Sequence, residues 1–399
     1  MNSMLKKTII IIPILLCAMI ITSCGVESET SELHENIQSF EFEAAREIIS
    51  RGDKTEINSL SIDGATCIQE CISQSEFDGS SLEIIELLLR NGADINQKGK
   101  GEYKGTALDF LMTRSPIMFR HFDTIYQLLI KNGAVHSKET LENCLAGESK
   151  YEYAESIFEL LESADIDTDI SETMRALILK RPDEEIISLL EKGRYKKSEK
   201  NNIAFLTAAN CGVDVMKTLE DEDFDFTQTT IHRMSLIDIA AAYNSPEMIE
   251  YLIGAGQDPE ASESGYEADD GDEEMTWYMR SQECESYTSI SFALVNAKEK
   301  NIDCLIKNGN DFQENSWCIA CFCGGKGAID ILLEHDFPQE QYYIFQCYTM
   351  ADDDIVKYML DNNVDYNVSA YGESLLESLK NSGQTERYDL IVNNAEKEW

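Results

Sequence analysis

The chain has 399 residues, 74 of them acidic and 33 basic, for a formal net charge of −41 at pH 7. A surface this negative repels phosphate backbones, which excludes nucleic acid as a partner, and it repels anionic lipid headgroups as well. The length exceeds what one ordinary hydrophobic core serves, while only six prolines occur and no long stretch has linker composition.

Residues 1–23 read MNSMLKKTIIIIPILLCAMIITS, with Lys6 and Lys7 ahead of an uncharged run from Thr8 to Thr22. A short apolar core followed by small residues marks a secretory signal. Pro13 interrupts a run already shorter than the ~20 residues of a permanent span. The segment Ile21-Thr22-Ser23-Cys24 resembles the lipobox of a bacterial lipoprotein, whose cysteine is lipidated and becomes the first residue after cleavage. That resemblance implies lipidation of Cys24 and a place at the bacterial cell membrane, on its extracytoplasmic face, with membrane contact through the lipid anchor only. Cleavage removes Lys6 and Lys7, leaving 31 basic against 74 acidic residues, a net charge of −43. Residues 24–33 are then an acidic tether, and residues 34–59 a degenerate N-terminal cap.

From residue 60 onward the chain repeats itself. The middle residues of the LLL-like triplets are Leu88, Leu129, Leu160, Leu189, Leu219, Leu252, Leu305, Leu332, Met359 and Ile391. They lie 41, 31, 29, 30, 33, 53, 27, 27 and 32 residues apart, near 30 except for two long steps. A fixed period of this size is the mark of a solenoid, which lengthens without enlarging its core. Within a unit, Leu82, Ile85, Leu88 and Leu89 have the spacing of one helix face. Gly92, Gly133, Gly193, Gly256 and Gly309 stand where a helix C-cap calls for a left-handed residue. Residues 235–258, SLIDIAAAYNSPEMIEYLIGAGQD, resemble the ankyrin repeat, T-P-L-H-x-A-A-x-x-G-x-x-x-V-V-x-L-L-L-x-x-G-A-D. A second copy runs through 64–72 (GATCIQECI) and 82–96 (LEIIELLLRNGADIN). The resemblance implies an all-α fold, an ankyrin-repeat helical solenoid of helix-turn-helix pairs with short hairpin loops. About ten such repeats fill residues 60–399, with an acidic insertion at 260–286. Asp336 and Asn363 replace the capping glycine and Glu220 replaces a leucine, so 139–226 and 340–367 fit the pattern worst.

Several stretches hint at chemistry. The cluster WCIACFCGG at 317–325 has a C-x-x-C-x-C spacing open to zinc or to a disulfide. Yet Ala320, Cys321 and, earlier, Cys71 fall on the paired-alanine positions of the repeat, where cysteine serves as a small apolar filler. The insertion at 260–286 carries ten acids and one base, Arg280. Carboxylates bind calcium, but no twelve-residue calcium loop is present, and a solvated loop is the plain reading. Trp277 and Tyr278 inside it suit partner contact. Residues 99–106, GKGEYKGT, lack the order a phosphate-binding loop requires. The five histidines have no metal-ligand spacing and no G-x-S-x-G occurs, so neither an enzyme nor a cofactor or small-molecule substrate is expected.

The resemblance implies a protein partner, bound through hairpin tips and the first helix of each unit. The corresponding positions are Tyr103 and Lys104; Ile231, His232 and Met234; Glu314 and Ser316; and Tyr371 and Glu373. Charge complementarity makes the expected partner basic, and one form of this is an immunity-type role, sequestering a basic toxin at the envelope. The alternative is a calcium-binding or structural envelope protein that uses the acidic insertion.

Overall fold

The structure is a computed structural model and describes residues 31–75, 80–114, 121–146, 151–228, 234–260 and 287–395. The signal segment with Cys24, Ile231 and His232, and Trp277 and Tyr278 lie outside these residues. The chain divides into two compact units, Met1–Ala107 with Leu128–Ala134, and Leu108–Gln127 with Val135–Trp399.

In the first unit, polar caps open the helices. Ser31 caps Glu32–Gln38, Asp53 caps Lys54–Ile57, and Thr66 with Gln69 forms a full capping box on Cys67–Gln74. Helix Glu32–Gln38 packs on Cys67–Gln74, and Phe42–Ser50 packs on Ser80–Arg90. Leu33, Ile37, Ile49, Ile72, Ile84 and Leu88 are fully buried between them. The helical region therefore begins inside the stretch read as tether, because Ser31 caps and Leu33 is drawn into the core. Gln69, fully buried, donates from Nε2 to the carbonyls of Tyr103 (2.8 Å) and Gly105 (3.1 Å), so a core amide is satisfied by the following hairpin.

The second unit is a stack of helix pairs in two rows. One row runs Glu172–Ile178, Lys200–Asn210, Leu236–Tyr243, Ser289–Val295, Ser316–Ile319, Gln341–Met350 and Leu375–Asn381, each packed on the next. The other contains Asp183–Glu191, Val213–Asp221, Pro246–Gly254 and Glu299–Lys307, then Gly325–Glu334, Asp353–Asp361 and Thr385–Ala395. Neither row can bury its apolar face alone, so each helix is covered by its neighbour. Polar pins cross between repeats. Asn244 Nδ2 donates to the carbonyls of Ala208 (2.8 Å) and Cys211 (2.9 Å), and Asn301 Nδ2 donates to those of Ala241 (2.9 Å) and Asn244 (3.0 Å). Ser289 Oγ donates to buried Asp238 Oδ1 at 2.6 Å, so the stack continues from Leu236–Tyr243 to Ser289–Val295 past the insertion.

The segments that fit the repeat worst fold into the same helix pairs. Gly256 closes its helix at φ 92°, where Gln257 N donates to Leu252 O (3.0 Å). Asp336 (φ 51°) and Asn363 (φ 58°) take the same left-handed conformation, with Phe337 N on Leu332 O (2.9 Å) and Val364 N on Met359 O (3.0 Å). Asp and Asn are the side chains that tolerate this region best, so the turn survives loss of glycine. The cysteine-rich stretch passes through a π-helical segment, Ala320–Gly324, between Ser316–Ile319 and Gly325–Glu334. The whole span Ser316–Glu334 is long and apolar enough to cross a membrane. Here it is packed in the stack, with Trp317, Ala320, Ile329 and Leu332 buried and Trp317 Nε1 donating to Pro338 O at 2.9 Å.

Candidate functional site

Two places in the described residues gather chemistry, one sealed and one open. The sealed one lies in the first unit. His34 Nδ1 pairs with Glu70 Oε2, His34 Nε2 faces the Ser59 carbonyl at 3.3 Å, and Cys67 Sγ lies 3.5 Å from the same nitrogen. Gln38 Nε2 donates to the second Glu70 oxygen at 2.8 Å. A thiol, an imidazole and a carboxylate in this order outline a nucleophilic triad. His34 is 0 % exposed, however, and Cys67 and Glu70 are buried with it. Burial first, then the charge of Glu70, pushes the Cys67 thiol well above the ordinary range, so it stays protonated. The group clamps helix Glu32–Gln38 to Cys67–Gln74.

The other cysteines behave alike. The nine free cysteines of the described residues are all buried except Cys323, which is half-buried. Burial pushes Cys211 up to about 12, and holds Cys71 and Cys347 well above the ordinary thiol range. Cys71 and Cys321 are buried at the paired-alanine positions. Among the described residues no group of three or more His, Cys, Asp or Glu is arranged to hold a metal ion.

The open site lies in the second unit, where hairpin Ser369–Ala370 and Glu373–Ser374 meets helix Gln341–Met350. Ser369 pairs with Ser374 and Ala370 with Glu373, leaving Tyr371-Gly372 as a two-residue loop with both φ positive, 54° and 84°. Such loops match the strand twist and ordinarily take Asn-Gly or Asp-Gly. A tyrosine there is held in a left-handed conformation that costs about 1–2 kcal/mol for an ordinary L residue. The hairpin is fixed at its base by Ser374, which forms a capping box with Glu377 on Leu375–Asn381.

Tyr342, Phe345 and Gln346, at i, i+3 and i+4, share the helix face turned to this loop. The Tyr342 and Tyr371 rings meet with centroids 5.8 Å apart at 71°, and Phe345 backs Tyr371 at 6.4 Å. Tyr343 meets Tyr342 edge-on at 5.2 Å. Buried Gln346 donates from Nε2 to Tyr371 Oη (3.2 Å), and Tyr371 O–H donates to Tyr342 Oη (3.0 Å). Partial desolvation, then the bond to Tyr342, push the Tyr371 hydroxyl up to about 12. Despite this support Tyr371 is 65 % and Tyr342 39 % exposed. Ile62, Val135, Leu160 and Ile166 also project into solvent, but the tyrosines form a contiguous pair. From 335 to 379 there are nine acids and one Lys or Arg, Lys357.

Of the positions expected from sequence, Tyr371 and Glu373 stand exposed on this hairpin and Glu314 on the loop before Ser316–Ile319. In the first unit Lys104 is exposed and Tyr103 half-buried, at the end of the 3-10 turn Gly101–Tyr103. Two expectations are corrected. Met234 is buried, because it precedes the N-cap Ser235, the place of an inward hydrophobic staple. Ser316 is buried because Trp317, anchored on Pro338, draws the first turn of its helix into the stack. Tyr342, Tyr343 and Gln346 were missed; the aromatic run QYYIFQ at the head of a helix was their signal.

With the geometry in place, the ankyrin repeat family model matches residues 63–100. That segment and the two-row helix stack define an all-α protein with an ankyrin-repeat helical solenoid fold. The ankyrin repeat domain of human ASB11 is similar at 18 % identity and TM-score 0.29, covering 58 % of this chain and 100 % of that one. The ankyrin repeat domain of Bcl-3, a member of the IkappaB protein family, is similar at 15 % identity and TM-score 0.29, covering 57 % and 99 %. The structure of the Bd0816 predatory endopeptidase from Bdellovibrio bacteriovorus in complex with immunity protein Bd3460 is similar at 14 % identity and TM-score 0.24, covering 70 % and 99 %. No curated protein matches the chain.

Proposed function

We propose that this chain is a membrane-anchored, extracytoplasmic ankyrin-repeat lipoprotein, held by lipid on Cys24, that binds a basic protein partner without catalysing a reaction. Ankyrin repeats mediate protein–protein interaction, and the observation that carries the reading here is the exposed Tyr342–Tyr371 pair in acidic surroundings. Rigid aromatic side chains supply contact area at low entropy cost, and the net charge of −41 steers a basic partner while excluding acidic ones. Capture of a basic toxin, as in immunity, is the finer form of this reading. The anchor rests on Ile21-Thr22-Ser23-Cys24.

The test is a crosslinking pull-down with the full chain as bait, in detergent, from a membrane-plus-secreted extract of the source organism. The expected result is one basic protein recovered at low salt, weakened at high salt and lost with Tyr371→Asn. Recovery of acidic proteins only, or capture unaffected by salt and by the substitution, would sink the reading. Cys24→Ala tests the anchor separately: the chain should move from the membrane to the soluble fraction.

A further inference from the structure

We infer that the Tyr342–Tyr371 corner is the receptor for one arginine of the basic partner, taken in preference to lysine; this rests on the protein-binding reading above. The two rings stand 71° apart with centroids at 5.8 Å, so they form two walls rather than a stacked pair. A planar guanidinium can lie on one ring face and direct N–H groups at the other ring and its hydroxyl. An ammonium offers only a point charge on a flexible stem.

The corner is built before any ligand arrives. The relay Gln346–Tyr371–Tyr342 holds both phenols, Phe345 supports the Tyr371 ring from inside, and the two-residue turn sets the Tyr371 backbone. Preorganisation of this kind lowers the entropy cost of binding. The relay also has a direction. Tyr371 spends its proton on Tyr342, so the Tyr342 O–H is left to donate outward, which suits a backbone carbonyl beside the bound arginine.

Five other aromatic rings among the described residues have one of the protein's own cations over them. Arg114 lies 4.6 Å from the Phe110 centroid, Arg175 5.6 Å from Phe158, Lys200 4.4 Å from Phe224, and Lys326 5.4 Å from Tyr358. Among the described residues Tyr342 and Tyr371 have no such cation, although they are exposed. Glu340 and Glu373 lie beside them in sequence and, among the described residues, have no ion-pair partner; Asn381 donates to Glu373 at 3.5 Å. The two tyrosine rings thus stand without a cation of the protein's own over them.

The test titrates the full chain, in detergent at low salt, with capped tetra-arginine and tetra-lysine peptides by calorimetry, repeated on Tyr342→Leu and Tyr371→Asn. Tyr371→Asn suits the turn and keeps the fold, which far-ultraviolet circular dichroism checks. The arginine peptide should bind about tenfold tighter than the lysine peptide. Either substitution should bring it down to the lysine level while leaving lysine binding unchanged. Equal binding of the two peptides, indifferent to both substitutions, overturns the arginine corner and leaves the basic-partner reading standing. Binding of neither peptide overturns both.

Discussion

The His34–Glu70–Cys67 group and the Tyr342–Tyr371 corner make opposite use of polar side chains. In the first, every hydrogen-bonding group turns inward, exposure is nil, and the thiol is driven away from reactivity by burial. In the second, the support lies inside, through Gln346 and Phe345, while the two tyrosines stay open to solvent. Chemically suggestive residues become a structural clamp when they satisfy one another in the core. They become a candidate for recognition when the fold spends its interactions on holding them outward.

The largest effect expected from this contrast is on the clamp. Glu70→Ala leaves His34 and Gln38 without their acceptor and should cost about 1–3 kcal/mol of first-unit stability, read by urea denaturation. Arginine-peptide affinity should not change; a loss of affinity would mean that the two regions do not act separately. Tyr371→Asn should do the reverse. It relieves a left-handed tyrosine but leaves the buried Gln346 amide without its acceptor, so the two effects should offset to within about 1 kcal/mol while arginine-peptide affinity falls about tenfold. A larger stability loss there would show that the tyrosine is held for packing instead.

Alkaline pH sharpens the same comparison. Cys211 holds its proton to about 12 in the folded chain against about 8.5 when unfolded. A raised value binds protons more tightly in the native state, so its contribution is complete below about 8.5 and falls as pH rises toward the folded value. Thermal unfolding from pH 8 to 11 should show this decline, shallower in Cys211→Ser; an unchanged profile would mean that the thiol is hydrated. Tyr371, raised to about 12 for related reasons, should stay neutral over this range. The smallest effect belongs to the surface pair Lys196–Asp169, 2.6 Å apart. Hydrogen bonding within the pair lowers the Asp169 value and raises that of Lys196, yet Lys196→Ala should leave the melting temperature unchanged because solvent screens exposed charges.

The capping boxes show how far local pattern carries. Ser235 with Asp238 and Thr66 with Gln69 are legible as helix starts, and both fold that way. What the same pattern leaves open is which way a neighbouring residue faces. Met234 and Tyr371 both lie within three residues of a helix-starting cap, yet one is buried and the other is 65 % exposed. The difference is tertiary: Met234 falls at the inward staple position, whereas Tyr371 is lifted by a two-residue turn whose far strand pairs back onto Ser369 and Ala370.

Sequence by itself determined the two-helix unit, its period near 30 residues and the strong negative charge. Helix periodicity, capping chemistry and the left-handed closing residue are local rules that each copy obeys separately. Only the tertiary structure decided that His34, far in sequence from Cys67 and Glu70, would be sealed with them, and that Tyr342 would meet Tyr371 across 29 residues to form an open corner. Both outcomes depend on how one repeat stacks on the next, and stacking sets burial, which no single repeat encodes alone.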